Sequence, residues 1–158
     1  MRLMCDEMLQ RLGKWLRAAG YDTAIAARGD PDERVVDIAV REDRLLLTCD
    51  KRMLPLLEAA PLAWLMLESS KAADAVPVVE RVLGIDMRPP HRWSRCLKCN
   101  VKLEDLARAD LPAAWEGRVP AGKDLYCCPS CDQVFWEGSH VRRLDERLRV
   151  ISSVGPAT

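Results

Sequence analysis

Hydrophobic and polar positions change their period several times along the first 85 residues, and each change predicts an element. Residues 1–5, MRLMC, fit a short buried strand. In EMLQRLGKWLRAAG the apolar residues Met8, Leu9, Leu12, Trp15, Leu16 and Ala19 fall at helical spacing, and Gly20 ends the run. Residues 22–27, DTAIAA, read as a second strand. GDPDERVVDIAVRE opens with Asp30 as an N-cap, Pro31 at the first helical position and Glu33 three residues after the cap, so a helix is predicted to about Glu42. LLLT, residues 45–48, is a third strand. KRMLPLLEAA is a short helix or turn, and LAWLML, residues 62–67, is a fourth strand. AADAVPVVERVLG is a helix ending at Gly84, with Pro77 moving its start toward Val76.

Strands that alternate with helices make βαβ units, so the class is α/β with a mainly parallel sheet and right-handed crossovers. Ligands of such sheets gather at the carboxyl ends of the strands. Asp6 follows the first strand and Asp50 the third, which brings both acids to one edge. The stretch DMRPPHRW, residues 86–93, breaks this periodicity and reads as a linker. Residues 1–86 then form one domain, and residues 87–158 a smaller module that closes with an amphipathic helix in VRRLDERLRVI.

Cysteine spacing defines that module. Cys96-x-x-Cys99 and Cys128-x-x-Cys131 are two knuckles with 28 residues between them, the pattern of a closed tetrahedral Zn²⁺ site. Cys127 could take the place of Cys128, although the x-x spacing favours Cys128. Seven cysteines, an odd number, argue against a disulfide framework. A ribbon with so few large apolar groups depends on its metal, whose binding contributes on the order of 10–16 kcal/mol in small modules. Cys5 and Cys49, each one residue before an acid, fit small core residues.

Composition narrows the class further. Hydrophobic residues make up 49% of the 158 and charged residues 30%, which suits a folded protein able to bury about two-thirds of its unfolded surface. The first ten residues meet charge too early for a signal peptide, and no apolar run approaches the roughly 18 residues of a membrane span, so a cytoplasmic protein is expected. With 24 basic and 24 acidic side chains there is no net field to attract nucleic acid, and any such partner must meet a local cluster. Residues 87–103 form one, with Arg88, Arg92, Arg95, Lys98 and Lys102 and no acid. Arg11, Lys14 and Arg17 on the first helix form another. Either fits an RNA backbone or a solvated surface.

Among the acids, Asp30, Asp32 and Glu33 suit the start of a helix, Glu7 a solvated first turn, and Asp6 could simply cap the first helix. Carboxylates converging at a sheet edge repel each other by about 4 kcal/mol per pair at 4 Å for an effective dielectric of 20, so such a cluster calls for a cation. An all-oxygen set suits Mg²⁺ or Mn²⁺, ions that bind phosphate oxygens and activate water.

CDEMLQRLGKWLRAAGYDT, then DPDERVVDIAVREDRLLLTCD, then the C-x-x-C pair with CPSCDQVFWEGSH, resembles the Mut-seven C-terminal RNase family over residues 1 to about 145. The resemblance implies a PIN-like three-layer domain followed by a zinc ribbon, and a metal-dependent ribonuclease acting on RNA, preferably single-stranded. It also implies an acidic metal site at Asp6, Asp32 and Asp50, with Asp30 a close rival of Asp32. Arg92 and Arg95 would then approach the RNA together with Arg11, Lys14 and Arg17. This chain departs from the family at Cys49, where Arg is usual between the Thr and Asp of L-T-x-D, so Lys51 or Arg52 would have to replace it. His140 matches the family's ribbon ending without a role assigned. A non-catalytic RNA-binding ribbon protein is the alternative reading.

Overall fold

A computed structural model of the chain describes residues 1–88 and 93–153. Four short strands, β1 (Arg2–Cys5), β2 (Asp22–Ile25), β3 (Leu45–Thr48) and β4 (Trp64–Met66), form a parallel sheet in the order β2-β1-β3-β4. Helices α1 (Gln10–Ala18), α2 (Asp32–Arg41), α3 (Leu54–Ala59) and α4 (Ala72–Leu83) cross between or follow them. Strand residues alternate between two cores, because successive side chains of a strand point to opposite faces. Leu3, Cys5 and Leu47 meet α1 and α4 on one side, while Met4 and Leu46 meet α2 and α3 on the other. The result is three layers, helices on both faces of the sheet.

Two helix starts differ from the sequence expectation. Pro31, in extended conformation, occupies the N-cap of α2, and Asp30 instead accepts the Ala27 amide at 2.8 Å from one residue further out. Helix α4 begins at Ala72 and runs through Pro77. An interior proline costs about 3 kcal/mol. Burying a valine recovers about 1.5–3 kcal/mol, and Val76 and Val79 are both fully buried, so packing outweighs the lost hydrogen bond. Gly84 ends the helix in the left-handed region, φ 63°, as read from sequence.

The cysteine module folds as an antiparallel sheet of β5 (Glu104–Leu106), β6 (Leu125–Cys127) and β7 (Val134–Phe135) over a small core of Val119, Leu125 and Val134. The last helix, α5 (Ser139–Ser153), does not stay with it. Leu148 is buried in the α1/α4 core, with Leu144 and Ile151 packed against it, and Met87 joins the same cluster. Packing therefore joins residue 87 and the C-terminal helix to the first unit, across the boundary that composition suggests. Among the described residues no helix is long and apolar enough to cross a membrane.

The two units are docked through buried polar contacts. Arg17, expected on a solvated basic face, is only 8% exposed, and its guanidinium donates to the carbonyls of Thr23 at 2.8 Å and of Leu97 and Lys98 at 2.9 Å each. Asn100 accepts the Thr23 amide at 3.0 Å and donates to Asp22 at 2.8 Å, so the first knuckle covers the open edge of β2. Arg95 donates to the carbonyls of Gly20 at 3.0 Å and Asn100 at 2.7 Å. Arg17 and Arg95 are thus corrected from RNA contacts to structural donors. Arg92 lies outside the described residues, while Arg11 and Lys14 are exposed as expected.

Arg17→Ala should lower stability by about 3 kcal/mol in urea unfolding, because three buried carbonyls lose a charged donor. Arg17→Lys should recover little, since one ammonium cannot span all three. A melt unchanged in Arg17→Ala would show the docking to be energetically idle.

Candidate metal centres and acidic cleft

Each knuckle closes with a residue in the left-handed region directly after its second cysteine, Asn100 at φ 66° and Asp132 at φ 55°. Asn and Asp tolerate this conformation best after glycine, which explains their place in the two C-x-x-C repeats. The turns are matched, with the Asn100 amide 2.9 Å from the Cys96 carbonyl and the Asp132 amide 2.9 Å from that of Cys128. Sulfur atoms of Cys96, Cys99, Cys128 and Cys131 all lie within 4.8 Å of one another, and those of Cys96 and Cys131 are 3.8 Å apart. A tetrahedron with metal–sulfur bonds of about 2.3 Å has edges of about 3.8 Å. The cluster is therefore able to hold zinc, and Cys127, which points its thiol at the Cys128 carbonyl, is not part of it.

At the carboxyl edge of the parallel sheet, Asp6, Asp32 and Asp50 line one narrow cleft of about 40 Å³, together with Glu7, Asp30 and Arg52. Asp6 is 4% exposed. One of its oxygens caps the 3-10 turn Glu7–Leu9, accepting the amides of Met8 at 2.8 Å and Leu9 at 3.0 Å. The other accepts the Thr48 hydroxyl and, at 3.2 Å, the Cys49 amide. Capping thus explains only half of this carboxylate. The same Thr48 oxygen accepts the Asp50 amide at 2.9 Å, so one hydroxyl ties the two strand-end aspartates together.

Asp50 accepts the Arg52 amide at 2.9 Å and is gripped by the Arg52 guanidinium at 2.6 and 3.1 Å. Those hydrogen bonds hold its carboxyl below the usual aspartate range. Asp32 opens α2 and goes the other way. Burial, and then the charge of Asp50, raise its pKa above the ordinary value. Asp30, the rival, also lines the cleft but is committed to Ala27 and lies 3.5 Å from Arg34. Among the described residues, ligand atoms mutually within 4.8 Å occur at the four cysteines, and the three aspartates stand further apart.

Sequence reasoning missed one charged cleft residue, Glu7. Glu7 is not merely solvated: its carboxylate accepts the Gly29 amide at 2.6 Å and fixes the loop before α2. Of the two basic residues read from sequence as replacements for the family's Arg, Arg52 lines the cleft and Lys51 does not.

The comparisons with known proteins bear on this arrangement. The family model described as Mut7-C RNAse domain matches residues 1–148. The chain belongs to the Mut7-C RNAse domain family. It is also similar to the human exonuclease mut-7 homolog, 22% identical over 236 residues that take in 99% of this chain and 26% of that protein. The chain thus spans about a quarter of the length of that relative. No solved structure matches it. Membership makes this a nuclease-family domain, and Mut7-C domains are the setting in which its acidic cleft is to be understood.

Cys99→Ser should release the metal and unfold β5–β7 while the parallel sheet persists, read by metal content and by amide exchange. One tightly held zinc per chain in that variant would refute the ligand set. A second outcome concerns Asp32. A pKa raised on folding means the group favours the folded state only while protonated, and that contribution is lost as pH rises through the folded-state value. Metal-free Asp32→Asn should therefore melt above the wild type at pH 7, with the gap narrowing as the pH falls toward the ordinary aspartate value of 3.8.

Proposed function

We propose that the chain is a metal-dependent ribonuclease that hydrolyses RNA phosphodiester bonds. The observation that carries this reading is the meeting of Asp6, Asp32 and Asp50 in one cleft at the carboxyl edge of the sheet, within an RNase-family domain. An all-carboxylate donor set fits a hard divalent ion, and Asp32, raised first by burial and then by the charge of Asp50, stands in the same cleft without a cation of its own to pair with among the described residues. Asp6, Asp32 and Asp50 would hold one or two Mg²⁺ or Mn²⁺ ions. Such an ion, when bound, lowers the pKa of an attacking water and neutralises charge on the phosphate.

The chain's own residues do the rest. Thr48 and the turn amides hold Asp6 in place. Asp32 would serve as a ligand in its carboxylate form, and Asp50 would have to release Arg52. The Arg52 side chain is 86% exposed, and once released from Asp50 it would reach a phosphate and take the role left open by Cys49. The cysteine module acts as a structural zinc ribbon docked on the nuclease unit. One specific observation favours the alternative of an inert RNA-binding module: the two-pronged Arg52–Asp50 pair already neutralises one of the three acids.

Substitutions separate the two. Asp50→Asn should fold and bind RNA yet lose several orders of magnitude in Mg²⁺- or Mn²⁺-dependent cleavage. Asp30→Asn keeps an acceptor for the Ala27 amide and should cost little if Asp32 is the ligand. Cleavage assays on the purified pair with titrated Mn²⁺ decide the matter. Full activity in Asp50→Asn, or RNA binding with no cleavage by the wild type under any divalent metal, would sink the nuclease reading.

A further inference from the structure

Helix α5 carries a charge pattern that its packing does not use. Leu144, Leu148 and Ile151 face the core, while Arg143 and Arg147, one turn apart, flank that face. They line a groove of about 780 Å³ shared with Arg11 and Trp15 of α1 and with Lys71 at the start of α4. Glu146 is the single acid in the lining against four cations. Among the described residues none of the four forms an ion pair with a carboxylate. The Arg11 guanidinium lies over the Trp15 ring, 5.5 Å from its centroid.

In a chain with equal numbers of acids and bases, a four-to-one segregation of this kind creates a local field suited to a polyanion. Its position says which one. Arg11 follows cleft-lining Met8 by three residues, so the groove begins about one helical turn from the aspartates. The N-terminus of α4 follows the carboxyl end of β4, at the sheet edge that also carries Asp6 and Asp50. Because the aspartate cleft holds only about 40 Å³ and Asp6 is nearly buried, a single strand reaches it where a duplex does not.

We propose that the α1/α4/α5 groove binds the phosphate backbone of single-stranded RNA through Arg11, Lys71, Arg143 and Arg147 and feeds it to the aspartate cleft. This rests on the ribonuclease reading and names where its substrate is held, on the nuclease unit and not on the ribbon's basic stretch.

The test uses the full chain with Asp32→Asn, so that binding is read without cleavage, and a fluorescent single-stranded RNA titrated across KCl concentrations. Adding Arg143→Ala and Arg147→Ala should flatten the log–log salt slope by about 1.4 and weaken binding about 25-fold at 0.1 M salt, at 0.7 per phosphate contact. Adding Arg41→Ala and Arg81→Ala, which removes the same charge from exposed sites elsewhere, should change little. In the catalytic background the groove pair should raise KM and leave kcat nearly unchanged. An unchanged slope with normal cleavage would overturn the groove and spare the nuclease reading. Cleavage absent in the wild type, with RNA binding still lost in the groove pair, would do the reverse. Equal losses in both arginine pairs, equal competition by duplex RNA, or binding to anionic vesicles in place of RNA would each overturn the proposal.

Discussion

The Thr48 hydroxyl is the joint on which the acidic cleft depends. It is fully buried, donates to Asp6 and accepts the Asp50 amide, so it fixes the ends of β1 and β3 relative to each other through side chains as well as through the strand ladder. A hydroxyl suits this position because it both donates and accepts. Valine would fill the same space and leave a buried carboxylate oxygen and an amide short of partners, which costs more than a simple hydrogen bond contributes. That answers why a buried apolar strand should end T-x-D. The aspartate is delivered by the backbone, and the threonine two residues earlier holds it.

A second constraint ties the cysteine module to the same frame. Gly13 sits inside α1 because any side chain there would collide with Ile25 of β2, at 2.6 Å from its Cβ position. The helix therefore lies close on the β1/β2 side, and Arg17, one turn on, reaches past β2 to the knuckle carbonyls. Zinc loss would loosen more than a ribbon. The knuckle supplies two of the three acceptors of Arg17 and the side chain that covers the Thr23 amide, so metal binding and protection of the sheet edge are linked through one buried guanidinium.

Much of this was legible in the chain. Short apolar runs between helix-period segments gave the four parallel strands and the edge where Asp6 and Asp50 meet, since both signals are local. The cysteine spacing marked the four clustered thiols for the same reason. What failed was long-range or positional by one residue. Arg17 and Arg95 read as surface charge because their partners are carbonyls up to 81 residues away, which composition cannot reveal. Gly13 was the one available hint, for a glycine in a helix interior marks a close face and Arg17 lies on it. Asp30 lost the cap to Pro31 by a single residue, and Pro77 stayed helical because the valines around it are buried. The docking of α5 needed knowledge of which core its leucines reach.

The three aspartates are kept unequal, and that inequality is what gives the cleft chemical direction. Asp6 receives four hydrogen bonds, which fix its position. Asp50 is balanced by Arg52, while Asp32 is left to burial and to its neighbour's charge. On the proposed reading, Asp32 and Asp50 would hold the cation together with Asp6, and Asp50 would have to release Arg52 to do so. Burial and the charge of Asp50 favour the protonated form of Asp32, so cation affinity would strengthen as pH rises through the Asp32 value. Arg52 lines the cleft, where a substrate phosphate would take the place of Asp50 as its partner. The resting ion pair and the working one would use the same arginine, and the cation decides between them.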